Sequence, residues 1–92
     1  MIGSFADRTT EDIYHGTETK AARRIPKELW PVARRKLDML NRAAVPGDLK
    51  RPPGNRLKRV GKLYAIRIND QFRITFTFEA RNASDVLITD YR

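Results

Sequence analysis

The spacing of apolar residues changes once along this chain, near residue 57, from three or four to two. Before that point Leu29, Ala33, Leu37, Leu40 and Ala44 form a single helical stripe, with Trp30 at its edge. Arg34, Arg35, Lys36 and Arg42 decorate the other faces of this helix. Pro31 belongs in its first turn, where a missing N–H does no harm, so residues 27–30 form a separate lead-in turn and Pro46-Gly47 closes the element. Upstream, residues 9–16 predict a short helix with a threonine cap, acids in the first turn and Gly16 as its stop. Ile2 and Phe5 fit a short first strand. Residues 17–24 are polar and basic without periodicity, and are expected to be a mobile connection, part of which orders on binding.

Residues 50–55 (Lys-Arg-Pro-Pro-Gly-Asn) exclude helix and central strand, because two prolines remove two donors and Gly54 invites a tight turn. Alternation then takes over. Residues 57–60 make a short strand. Over residues 62–69, Tyr64, Ile66 and Ile68 fall on one side and Leu63, Ala65 and Arg67 on the other. Residues 72–79 set Phe72, Ile74, Phe76 and Phe78 against Arg73, Thr75 and Thr77. A turn at residues 81–84 leads to a last strand at 85–91. The expected fold is a single α+β domain over residues 1–92, an antiparallel β-sheet with the helices packed on one face. Arg67 and Arg73, on either side of the Asn69-Asp70-Gln71 turn, then share the opposite face with Thr75 and Thr77. Two arginines so placed repel unless an anion holds them; the competing reading is a solvated pair balancing Asp70, Glu79 or Asp90.

Charge strengthens the anion reading. The 92 residues carry 19 Lys and Arg against 11 Asp and Glu, a net charge of +8. Such a surplus favours a polyanionic partner: nucleic acid, an acidic protein or, less often, a membrane surface. Residues 50–73 hold eight basic residues (Lys50, Arg51, Arg56, Lys58, Arg59, Lys62, Arg67 and Arg73) and one acid, Asp70. Residues 20–42 are also basic, whereas the first 19 are acidic. Charged helix faces are usually only solvated, so the strand cluster carries more meaning. Phosphate contacts from such a strip give affinity without sequence information. An apolar fraction of 40% supports one modest core but no enclosed cofactor pocket.

Several chemistries lack their residues. There is no cysteine, hence no disulfide framework and no thiolate metal site, and a reducing cytoplasm is the expected location. No apolar run approaches the roughly 20 residues that span a bilayer, and Met1 to Phe5 lack the layout of a signal peptide. His15 is the only histidine, better explained as a partner of its helix's C-terminal dipole than as a catalyst. There is no glycine-rich phosphate loop, and no cofactor or metal is expected. RNA cleavage remains accessible, because the substrate's own 2′-hydroxyl can attack the neighbouring phosphate. The protein then supplies positioning, charge stabilisation and proton transfer. Arg67 and Arg73 are candidates to hold the phosphate. Lys58, between Arg56 and Arg59, is the candidate for a lysine with a lowered pKa. Tyr91 and Arg92 meet the same strip if the last strand is central.

The chain resembles the HigB-type killer proteins of bacterial toxin–antitoxin systems, within the wider RelE-like family. The resemblance runs through Met1-Ile2-Gly3-Ser4-Phe5, Arg35-Lys36-Leu37-Asp38-Met39-Leu40 with Ala43-Ala44 and Asp48-Leu49, and Pro52-Pro53-Gly54-Asn55-Arg56-Leu57. Its most specific parts are Ile66-Arg67-Ile68-Asn69-Asp70-Gln71-Phe72-Arg73-Ile74-Thr75-Phe76 and Asp90-Tyr91-Arg92. It implies a RelE-like fold and ribosome-dependent cleavage of messenger RNA. It also implies a helix-turn-helix, HigA-like antitoxin that forms a hetero-oligomer with the toxin and takes it to operator DNA. Arg73 matches the family's phosphate-stabilising arginine, and Tyr91 a C-terminal tyrosine near the scissile bond. Arg56, Arg59, Lys62 and Arg92 are the expected RNA-binding cations. Two departures stand out. Relatives commonly end in Asp-Tyr-His where this chain has Asp90-Tyr91-Arg92, and the segment between Leu57 and Tyr64 is shorter than theirs, so Lys58 and Lys62 both remain candidates for the lysine of that loop. Beside the endoribonuclease stand two other roles: a non-cutting module that occupies RNA or the ribosome, and a corepressor acting with the antitoxin.

Overall fold

A computed structural model describes residues 1–90, so the expectations placed on Tyr91 and Arg92 lie outside the described residues. Helix α1 (Arg8–His15) begins at Asp7, whose carboxylate accepts from the Thr10 N–H at 2.8 Å. It ends at Gly16, which is left-handed at φ 73° and returns N–H bonds to the last turn. The predicted threonine cap is therefore displaced to Asp7. Thr9 and Thr10 sit inside the helix, and each has other work. Thr9 Oγ1 donates to Ala21 O at 2.8 Å, while Thr10 Oγ1 accepts from the Ile88 N–H at 2.9 Å.

The bond from Thr9 to Ala21 corrects a second expectation. Residues 17–24 are docked on α1, with Ala22 fully buried, a 3-10 turn at Ala22–Arg24, and Thr19 Oγ1 donating to Asp12 Oδ2 at 2.7 Å. The segment has no periodicity because side-chain hydrogen bonds hold it in place of a long apolar face. The 3-10 turn Lys27–Leu29 leads into α2 (Trp30–Arg42), with Pro31 in its first turn, as the sequence predicts. The helix stops two residues earlier than the stripe suggests. Ala43 is buried and Ala44 exposed, and residues Pro46–Lys50 wind into a separate 3-10 turn with Asp48 accepting from the Ala44 and Val45 N–H groups. Trp30 is 6% exposed, a core residue whose Nε1 donates to Ile25 O.

The sheet contains β1 (Lys58–Val60), β2 (Leu63–Arg67), β3 (Phe72–Glu79) and β4 (Asn82–Asp90), in that spatial order and all antiparallel. Its β3–β4 turn is tighter than residues 81–84. Ala80 and Arg81 alone make it, both left-handed at φ 52° and 68°. Positive φ at both central residues is the arrangement whose twist matches the strands it joins. The expected first strand is reduced to two isolated parallel bridges, Ile2 with Ala83 and Phe5 with Val86, along the outer edge of β4. Ile13, Ala33, Leu37 and Leu40 from the helices meet Ile66, Ile74, Phe76 and Val86 from the sheet in one core, all fully buried. This leaves Lys58, Arg67, Arg73, Thr75 and Thr89 together on the other face of the sheet.

Candidate active-site cleft

Register decides which side chains meet on the polar face. Lys58, Ala65, Thr75 and Leu87 form one row across the strands, and Arg67, Arg73 and Thr89 the next. Arg67 and Arg73 are direct cross-strand partners, which sets their Cβ atoms about 5 Å apart. Like charges so placed are destabilising unless an opposite charge joins them. Arg67 Nη2 donates to Asp70 Oδ1, but that carboxylate side chain is 97% exposed, so water screens the pair.

The turn between them is rigid. Asn69 Oδ1 accepts from the N–H groups of Gln71 and Phe72 at 2.9 and 2.7 Å, and Phe72 O accepts from Ile68 and Asn69. Gln71 Nε2 donates to Asp90 Oδ2, tying the hairpin tip to the end of β4. These bonds fix the backbone positions from which Arg67 and Arg73 project.

Arg56 joins from the loop before β1. Its φ is 48°, an unfavourable conformation for a residue with a side chain. The loop is held by Asn55, fully buried, whose Nδ2 donates to Leu49 O and Arg51 O at 3.1 and 3.4 Å. Arg56, Lys58, Arg67 and Arg73 thus line one cleft of about 90 Å³, floored by Ala65 and Ile66. At ~30 Å³ per water, that space is on the scale of a phosphate group. Four cations converging on it offer an anion charge-assisted hydrogen bonds from several directions.

One contributor escaped the sequence reading. Lys36, expected on a solvated helix face, is only 7% exposed. Ile68 N–H is turned toward β3, so alternation along the strand turns the Arg67 carbonyl toward β1. Yet β1 pairing stops at Lys58–Ala65. Lys36 Nζ takes the place of the missing strand donor, 2.6 Å from Arg67 O. Burial, with Arg35 and Arg67 adding repulsion, holds its pKa below the usual lysine value. The signal was present: Ala33, Lys36, Leu37 and Leu40 fall at i, i+3, i+4 and i+7, so Lys36 lies within the apolar arc.

The other predicted cations go elsewhere. Arg59 points to the helix-side face of β1, its guanidinium 5.2 Å from the Tyr64 ring centroid. Lys62 is exposed in the β1–β2 turn, near Arg59, Thr77 and Glu79 rather than in the cleft. His15 contacts the rings of Phe5 and Tyr14 at the end of α1. Among the described residues, no three His, Cys, Asp or Glu side chains gather as a metal site would need, and no helix is long and apolar enough to cross a membrane.

Residues 3–91 match the family model for the RelE-like toxin of the type II toxin–antitoxin system HigB. The chain belongs to that family. Among relatives, it is 37% identical to Toxin HigB-1 of Vibrio cholerae over 80 residues, covering 83% of this chain and 82% of that protein. It is also 33% identical to an uncharacterized protein of Haemophilus influenzae over 69 residues, covering 71% of this chain and 68% of that one. The α+β architecture, with helices on one face of an antiparallel sheet, is that expected of a RelE-like toxin. Membership of a type II family makes an antitoxin the toxin's counterpart.

Proposed function

We propose that this toxin is a ribosome-dependent endoribonuclease that cuts translated messenger RNA without a metal ion. The observation that carries the reading is the cleft in which Arg67 and Arg73 face each other, with Arg56 and Lys58 beside them. A scissile phosphate placed there accepts charge-assisted hydrogen bonds from several of these four cations. The 2′-oxygen of the upstream ribose attacks phosphorus, the 5′-oxygen of the downstream nucleotide leaves, and a 2′,3′-cyclic phosphate remains. Arg73 and Arg67 hold the non-bridging oxygens, where negative charge grows as the phosphorane forms. Lys58, the one lysine among the four cleft cations, gives a proton to the departing 5′-oxygen, while the proton of the 2′-hydroxyl passes to water. Tyr91 supports the same step from the chain's end. Arg59, Lys62 and Arg92 contact the RNA flanking the cut. A cluster of cations also repels a divalent ion, which favours a metal-free route. A HigA-like helix-turn-helix antitoxin neutralises the toxin in the cytoplasm and carries it to operator DNA.

The test is induction of the toxin alone in bacteria, with primer-extension mapping of cuts on ribosome-bound mRNA. Growth arrest and discrete cuts are expected, both lost with Arg73→Ala. Normal growth and intact mRNA with Arg73 in place would sink the proposal. A second reading, a module that occupies the ribosome without cutting, draws support from the cleft's three arginines, which hold phosphate but do not exchange protons. Inhibition by the wild type with no cut product, and its loss in Arg73→Ala, would select that reading.

A further inference from the structure

A second feature adjoins the cleft on the opposite face of β1. Arg59, Tyr64 and Phe76 are consecutive partners across β1, β2 and β3. Their side chains form a layered row: the Tyr64 and Phe76 rings are stacked at 5.7 Å with 13° between planes, and the Arg59 guanidinium lies 5.2 Å from the Tyr64 centroid. Strand order places Tyr64 in the middle, so Arg59 is the outermost layer at the open edge of the sheet. Arg59 Nε already donates to Gly61 O at 2.9 Å. What it still offers is the flat face of the guanidinium, a surface on which nucleobases stack.

A hollow of about 460 Å³ lies against this row, lined by Pro46, Lys50, Leu57, Lys58, Arg59 and Tyr64 among others. Pro46, Leu57 and Tyr64 give it apolar lining and Lys50, Lys58 and Arg59 positive charge, which suits a ring with apolar faces and a polar edge. Lys58 lines both this hollow and the phosphate cleft. The two sites are therefore separated only by the three-residue edge strand β1.

We propose that the hollow is a nucleobase subsite: a base of the same RNA strand, next to the phosphate in the cleft, stacks on Arg59 with Tyr64 and Phe76 behind it. This rests on RNA being the substrate and assigns Arg59 to a base face instead of a phosphate. The probe is a short single-stranded RNA carrying 2-aminopurine and a 2′-deoxy sugar at the attack position, which binds without being cut. Titration of the purified toxin should quench the 2-aminopurine. A matched oligonucleotide abasic at that position should bind roughly 5- to 150-fold more weakly, the range for one stacked base. Arg59→Lys keeps the charge at an exposed position but loses the plane, so it should lose the quench and a similar factor in affinity. Arg73→Ala should weaken binding while leaving the quench at saturation.

Unchanged quenching in Arg59→Lys, equal binding of the abasic probe, or no quench at saturating toxin would each overturn the subsite. Binding of an acidic peptide that depends on Arg59, without any base-dependent quench, would overturn it and give the hollow to a protein partner. The two proposals fail separately. Quenching without mRNA cuts would leave the subsite standing and remove the nuclease, and cuts without quenching would do the reverse.

Discussion

Replacing Lys36 with methionine tests whether a buried ammonium completes the sheet under the cleft. The substitution keeps most of the side chain's length and apolar stem while removing the group 2.6 Å from Arg67 O. A hydrogen bond from a charged donor contributes about 1.5–3 kcal/mol, and a buried carbonyl left unpaired costs a comparable amount. Against this, methionine relieves the desolvation of the ammonium and its repulsion from Arg35 and Arg67. The net expectation at pH 7 is a loss of about 1–2 kcal/mol, or roughly 4–16 °C in Tm for a domain of this size. The pH dependence adds a second readout. The unfolded chain keeps the Lys36 proton up to about the ordinary lysine value of 10.5, whereas the folded chain releases it earlier. Between those points the unfolded state binds more protons, so Lys36 makes stability rise with pH. The gap between wild type and Lys36→Met should therefore widen as pH climbs toward 10.5. Thermal melts followed by circular dichroism from pH 7 to 10.5 measure both effects. A variant that melts at or above the wild type at pH 7, with a gap that stays flat to pH 10.5, would refute the reasoning.

Other consequences are open to similar measurement. Thr10→Val keeps shape but removes the acceptor for the Ile88 N–H, and should cost about 1–3 kcal/mol in denaturant melts; a cost near zero would mean that β4 finds another partner. Asp12 is held below the usual carboxylate range by the Thr19 hydroxyl and then by Arg8, in spite of burial. The stability this gives is present above pH 3.8 and fades as pH falls through the depressed value, so Asp12→Asn should flatten the acid limb of the stability curve. Putting Asn-Gly in place of Ala80-Arg81 suits two left-handed residues better, and should raise stability by about 1 kcal/mol; a drop would mean that the Arg81 side chain supports the turn.

The parts legible in the sequence were those governed by periodicity. The stripe from Leu29 to Leu40 located α2, and alternation through Phe72, Ile74 and Phe76 put Arg67 and Arg73 on the face away from the helices. What stayed hidden depended on contacts between distant residues. Thr10 looks like a capping residue until Ile88, 78 positions away, is known to donate to it. The Ala80-Arg81 turn has no glycine or asparagine to announce it, because strand pairing on both sides imposes the conformation. Lys58 and Arg59 are neighbours in sequence and read as one basic cluster. The pleat sends them to opposite faces, one to the cleft and the other to an aromatic row.

The edge of β4 has a temporal consequence. Its cover is the chain's own beginning: Gly3 N–H donates to Ala83 O, Ala6 N–H donates to Val86 O, and the Met1 ammonium donates to Arg81 O. A ribosome must therefore deliver residues 82–90 before the first ten residues have a strand to lie against. Until then α1 has no β4 to dock on, and the hairpin tip lacks the Asp90 carboxylate that Gln71 grips. Such non-local closure makes folding late and cooperative. A nascent toxin of this design lacks the closure of its sheet edge until β4 has emerged.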